Sequence, residues 1–352
     1  MNEMIVATQL FFTIIIGMYF FTKLRNERGA DKIANSDNKS EAERINKMRH
    51  ISLTKPLTET VRPTQMDGII GQEDGVRALK AALCGKNPQH VIIYGPPGVG
   101  KTAAARLALE EAKKSKGTPF LKNAKFIETD ATIMRYDERS IADPLIGSVH
   151  DPIYQGAGAY GEAGIPQPKE GAVSKAHGGV LFIDEIGELP SEQMNRLLKV
   201  LEDRRVFFES AYYSSSCKKI PTYIHDIFKN GLPADFRLIG ATTRQPEDIP
   251  EAIRSRCVEV FFSPLERADI ITILSNARER IGISVSDAII EYIADYAKNG
   301  RDGVKILQTL ENTVRLDDRD NAEMSDAEWV VKAGRYKKPE SKIIDISLMK
   351  KC

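Results

Sequence analysis

Little in these 352 residues speaks for a metal centre or a disulfide framework. The four cysteines, Cys84, Cys217, Cys257 and Cys352, are scattered and form no C-x-x-C pair, so neither a zinc site nor a set of bridges is suggested. The five histidines, His50, His90, His150, His177 and His225, are equally dispersed, without an H-E-x-x-H pattern. Each reads as a surface or packing residue rather than a ligand. Neither sign of charge dominates, with Lys+Arg 50 against Asp+Glu 49. No broad basic field marks a nucleic-acid binder, and no nucleic-acid partner is expected. No internal repeat and no helix-turn-helix segment is visible. Long apolar runs are scarce too, and the one that exists is at the N-terminus.

That run, residues 4–22, carries no charge and is rich in Ile, Phe, Met and Thr. As a helix it would span roughly 28 Å, close to the hydrocarbon core of a bilayer. Only Glu3 precedes it, while Lys23, Arg25 and Arg28 follow. The positive-inside rule then puts the rest of the chain in the cytoplasm, behind a single-pass anchor in the cell membrane. A cleaved signal would want a basic start and a small-residue cleavage site, and neither is present. Residues 31–62 are charged and polar, as in a tether.

What the chain does have is a phosphate loop. Gly95-Pro96-Pro97-Gly98-Val99-Gly100-Lys101-Thr102 fits G-x-x-x-x-G-K-[ST] at every fixed position. Val91, Ile92, Ile93 and Tyr94 precede it as a buried parallel strand would, and strong helix formers follow over 103–113. Strand, glycine loop and helix aim backbone N–H groups at a polyphosphate. Lys101 would reach the β- and γ-phosphates of ATP, and the Thr102 hydroxyl would ligate Mg²⁺. Further on, Val180-Leu181-Phe182-Ile183 ends in Asp184 and Glu185. A carboxylate pair after an apolar run is a weak signal alone, equally a solvated strand end. After a phosphate loop it supplies what phosphoryl transfer needs: Asp184 for the metal and Glu185 to polarise the attacking water.

The remaining core gives softer signals. Ile69 and Ile70, beside a glycine turn, form either an adenine contact or an ordinary loop. Ser191 is the expected N-cap of a helix whose Met194, Leu197, Leu198 and Leu201 fall at i, i+3, i+4, i+7. A strand over 236–241 leads into Thr242-Thr243-Arg244, where a hydroxyl could meet the γ-phosphate or the lytic water. Arg254 and Arg256 precede a further apolar run at 258–262. Beyond residue 265, apolar residues recur at helical spacing. The fold class is therefore α/β, a parallel sheet with helices on both faces plus a small all-α lid. The expected divisions are 1–23 membrane anchor, 24–62 linker, 63–264 nucleotide-binding core, 265–334 lid and 335–352 tail.

The order of phosphate loop, Ile-Asp-Glu strand, Gly-Ala-Thr-Thr-Arg strand, Arg-Ser-Arg and helical lid resembles the AAA+ P-loop NTPases. The Gly/Ala-rich stretch at 151–179, the Gly-Leu-Pro-Ala-Asp-Phe at 231–236 and the apolar N-terminus narrow this to the membrane-associated LonB branch of the Lon protease family in spore-forming bacteria. The resemblance implies a homo-oligomeric ring, a hexamer in the family, that hydrolyses ATP with Mg²⁺ to unfold and translocate protein substrates. It implies Thr243 as the first sensor and Arg256 as a finger reaching the neighbour's γ-phosphate. It puts Lys305 at the second-sensor position, where the family has arginine. Tyr160 or Tyr154 would line the pore, unless both are exposed loop tyrosines. Lon proteases continue after the lid into a serine–lysine peptidase. The eighteen residues after Gly334 are too few for a domain, so no peptidase activity is expected of this chain alone. Two other readings stand beside this one. The Gly/Ala-rich loop also resembles that of AAA+ transcription activators, and an ATP-binding, non-catalytic ring subunit would carry much of the same pattern.

Overall fold

The computed structural model describes residues 16, 18, 43–51, 53–134, 143–150, 165–210, 213–217 and 220–339. It divides into two units, Met1–Pro56 and Leu57–Cys352. In the first, residues 43–50 are helical. The expected membrane run lies outside the described residues except for Ile16 and Met18, both helical. Among the described residues no helix is long and apolar enough to cross a membrane. Tyr154, Tyr160 and the tail from residue 340 also lie outside them.

The second unit runs, in chain order, α1 (Leu57–Thr60), α2 (Glu73–Leu83), β1 (His90–Tyr94), α3 (Lys101–Ala112), β2 (Phe126–Asp130), β3 (Gly147–His150) and β4 (Gln167–Glu170). It continues through α4 (Ala172–Lys175), β5 (Val180–Asp184), α5 (Ser191–Asp203), β6 (Arg205–Val206), α6 (Thr222–Asn230), β7 (Leu232–Pro233) and β8 (Arg237–Thr242). It closes with α7 (Glu251–Arg254), β9 (Cys257–Phe261), α8 (Arg267–Arg278), α9 (Asp287–Tyr296), α10 (Gly300–Leu316) and α11 (Met324–Ala333).

Five strands form one parallel sheet in the order β2-β5-β8-β1-β9. The continuous apolar strand sequences follow from burial on both faces. Along β1, Val91 and Ile93 enter one core while Ile92 and Tyr94 enter the other. Along β5, Val180 and Phe182 alternate in the same way with Leu181 and Ile183. One core is closed by α3, whose Ala104, Ala105, Ala108 and Ala112 are buried with Leu109. Their small side chains let the helix axis lie close to the strands. The other is closed by α5 through Met194, Leu197 and Val200. Ser191 opens α5, but Pro190 holds the cap position and no side chain caps the helix. The fixed φ of a proline already ends the preceding turn there. Two antiparallel strand pairs, the β3–β4 hairpin and β6–β7, which α6 separates in sequence, form two further small sheets.

A third core belongs to the lid, built from α8 to α11 around Leu274, Ile293, Ile306, Leu307 and Leu310. The chain just before the core, expected as linker, is part of this lid. Leu57 is buried in the lid core, its N–H donates to Gln308 Oε1 at 3.2 Å, and Arg280 bonds the Thr60 carbonyl. One leucine and two backbone groups are enough to dock a four-residue helix, and no periodicity in so short a segment announces it.

Candidate nucleotide site

The C-terminal ends of β1, β5 and β8 open on one edge of the sheet, where ligands of open α/β sheets bind. A cleft of about 510 Å³ lies there, between this edge and the lid. Its floor is the phosphate loop. Gly100 takes φ 99°, a left-handed backbone that favours glycine, and is the N-cap of α3. No side chain caps that helix, so its first-turn N–H groups remain available to an anion. Gly98 (φ 78°) passes so close to the lid that an added Cβ would lie 2.6 Å from Asn299 Oδ1.

Pro97, Gly98, Val99, Gly100, Lys101 and Thr102 line the cleft with Asp184 and Glu185. Gly95 and Pro96 contribute from beneath. The Lys101 ammonium donates to their carbonyls, at 2.6 Å and 3.0 Å. Burial lowers the lysine's pKa, Glu185 and Asp184 oppose that, and Arg301 reinforces it. Asp184 is shifted the other way, upward, chiefly by burial, while a bond from the Glu185 N–H at 3.2 Å pulls it back. A carboxylate stripped of water favours a bound cation. Among the described residues no three acidic, His or Cys groups cluster as a closed metal cage. One carboxylate and one hydroxyl, Asp184 and Thr102, fit Mg²⁺, which keeps several waters and takes substrate phosphate oxygens. When bound, Mg²⁺ would neutralise charge on the phosphates.

Glu185 is in the left-handed region, φ 49°, rare for a residue with a side chain. Its Oε2 accepts from the Thr243 N–H at 3.1 Å and the Thr243 hydroxyl at 3.2 Å. The structure thus brings the two residues together, with the carboxylate held at the end of β8. Ile70 also lines the cleft, on the side of the α1 segment, together with its neighbour Ile69, which is otherwise buried in the core. Gln72 ties this segment down: its amide exchanges two 2.8 Å bonds with the backbone of Ser263.

Two residues stand apart. Lys305 is exposed and does not line the cleft; Arg301, one turn earlier on α10, does. The Asn299 side chain caps α10 by accepting from the Asp302 N–H at 2.9 Å. That cap fixes the helix start, and residue 301 then falls in the first turn, against the phosphate loop. The Asn-Gly dipeptide before Arg301 was the available signal. Arg256 also lies outside its own cleft. It bonds the Ala252 carbonyl at 2.7 Å and pairs with Glu202.

Sheet order, phosphate loop, acidic strand end and helical lid define a P-loop ATPase of the AAA+ class. The family model described as "Magnesium chelatase, subunit ChlI" matches residues 65–219. The chain is 59% identical over 336 residues to Lon protease 2 of Bacillus subtilis (strain 168), covering 95% of this chain and 61% of that protein. It is 27% identical to the replication factor C small subunit of Methanococcus vannielii, over 73% of this chain and 65% of that one. Among solved structures, the Thermotoga maritima RuvB branch migration motor matches with TM-score 0.52 at 20% identity, covering 78% of this chain and 72% of that one. This last likeness bears on the fold alone. The chain belongs to the Lon protease family of AAA+ ATPases, and it spans 61% of the length of its Bacillus relative.

Proposed function

We propose that this chain is the ATP-driven motor of a membrane-anchored, LonB-like protease, which unfolds protein substrates and threads them through a homo-oligomeric ring. Proteolysis is assigned to a serine–lysine domain outside these residues. One observation carries the ring: Arg256 points away from a cleft that otherwise holds a phosphate loop, a metal carboxylate, a water-polarising glutamate and Thr243. An arginine in that position serves a neighbour's γ-phosphate. The likeness to Lon protease 2 supports the protein-substrate reading, and the uncharged run at 4–22 the anchor.

In the proposed cycle ATP lies along the phosphate loop, its phosphates on the α3 N–H groups and Lys101. Glu185 takes a proton from the attacking water after leaving Thr243. Arg256 of the adjoining subunit meets the charge that develops on the transferred phosphoryl group. The test is kinetic. Arg256→Ala should lower kcat by about 10³-fold or more with nucleotide affinity unchanged, and Glu185→Gln should bind ATP with hardly any turnover. Full ATPase activity in a strictly monomeric sample would overturn the ring.

A further inference from the structure

The two arginines before β9 are held in different ways. Arg256 is on an exposed ion pair with Glu202. Arg254 is tied inward, its Nε donating to Glu259 Oε1 at 2.7 Å. The same oxygen accepts the Tyr94 hydroxyl at 3.0 Å. Tyr94 is the last residue of β1, and the next residue, Gly95, begins the phosphate loop. The tyrosine is 3% exposed. Its ring stacks on Phe261 with centroids 5.1 Å apart, and its carbonyl accepts from the Phe262 N–H at 2.8 Å. Strands β1 and β9 pair in parallel, with Ile92 opposite Glu259 and Tyr94 opposite Phe261.

One carboxylate oxygen therefore joins the root of the phosphate loop to α7, the helix that carries Arg254 and leads into Arg256. The Arg254 guanidinium holds the Glu259 carboxyl below the usual range, so it is ionised at neutral pH and both bonds to it are charge-assisted. A pair only half-buried, as this one is, adds little stability. What it fixes is geometry, since a buried aromatic side chain on one partner leaves the carboxylate a single place to sit. A misplacement of about 1 Å at a reacting centre can lower a rate about a hundredfold.

We infer that Tyr94, Glu259 and Arg254 are positioning residues which set the reach of Arg256 into the adjoining subunit's cleft, linking the phosphate loop of one subunit to catalysis in the next. This rests on the ring proposed above. It predicts a polarity: loss of the link harms the neighbour's site rather than the subunit's own.

Mixed rings read that polarity. A chain with Arg256→Ala has an intact cleft but gives no arginine, and one with Glu185→Gln gives the arginine but cannot hydrolyse. Each alone should be nearly inactive, and the mixture should recover turnover at the clefts of the first. Glu259→Ala placed in the arginine-giving chain should cut that recovery by about tenfold to a hundredfold. Placed in the cleft-giving chain, it should leave recovery within about twofold, less than the geometric effect expected for a displaced group. Tyr94→Phe keeps the stacked ring and removes only the hydroxyl, and should show the same polarity with a smaller loss. Nucleotide affinity and ring sedimentation should not move for either variant. Equal loss from both placements, or none from either, overturns the link while leaving the ring intact. No recovery in the parent mixture overturns the ring and the link together.

Discussion

At the start of β1, far from the cleft, His90 shows how one residue ties the fold to pH. Its Nδ1 accepts the Leu238 N–H at 3.0 Å, so the neutral ring must carry its proton on Nε2. Burial, reinforced by Arg237, pushes its pKa down to about 4. In the unfolded chain the ring titrates near 6.5. The unfolded state therefore binds the proton first, and stability from this site is complete above about pH 6.5 and is lost as pH falls toward 4. Urea unfolding of the parent and His90→Gln should show a gap that shrinks by about 2 kcal/mol between pH 7 and pH 5. A constant gap would mean that the ring is not held neutral. None of this is legible in a sequence, where a histidine before an apolar run shows neither its depth nor its partner. The phosphate loop is the opposite case. Its eight residues are contiguous, and each does its work through backbone geometry that the residue type announces. Asp184 and Glu185 were readable because the strand before them is buried on both faces. Glu185's left-handed backbone and its grip on Thr243 needed the neighbouring strand.

The elements that carry the site are placed by contacts between segments distant in sequence. Asp143 is the clearest. It is 7% exposed. Its Oδ1 accepts the N–H groups of Leu145 and Ile146, at 3.0 and 2.9 Å, and so shapes the turn into the β3–β4 hairpin. Its Oδ2 accepts from Gln193 Nε2 at 3.2 Å and lies 3.5 Å from the Arg196 guanidinium, both on α5. Since α5 follows directly on Glu185 and its short turn, this one carboxylate fastens the hairpin to the element behind the acidic strand end. Asp143→Ala would leave two backbone donors and a buried amide unpaired, each costing about 1–3 kcal/mol. We expect the variant to unfold at markedly lower urea concentration, while Asp143→Asn, which keeps an acceptor, recovers part of the loss. Equal stability of all three would show that the clamp is idle. An Asp-Pro in a polar stretch gave no hint of it. By contrast, the α5 face and the alternating strands were legible, because their periodicities of 3.6 and 2 are imposed by the element itself.

In the molecule as a whole, the cleft belongs to two cores at once. The phosphate loop sits on the sheet, while Arg301, Gly300 and Val304 reach the same space from the lid. The modules and their order could be read along the chain. The closeness of the lid to the loop could not, because it depends on where α10 starts, and hence on the Asn299 cap. A nucleotide held from both sides must stabilise the lid as well as the core. In the Glu185→Gln chain, where turnover does not consume the ligand, ATP at a hundred times its Kd should add about 2.7 kcal/mol to unfolding. The melting temperature would rise by several degrees, at about 2–4 °C per kcal/mol for a domain of this size. Arg301→Ala, made in the same background, should raise Kd and shrink that rise at fixed ATP, since it removes one of the two arginines, Arg280 and Arg301, that the lid brings to the cleft. Lys305→Ala should leave the rise unchanged, since its side chain is exposed away from the cleft. Calorimetry together with nucleotide titration measures both. If Lys305→Ala weakened binding and Arg301→Ala did not, the start of α10 given by the Asn299 cap would be wrong by a turn, and with it the assignment of the lid's contact to ATP.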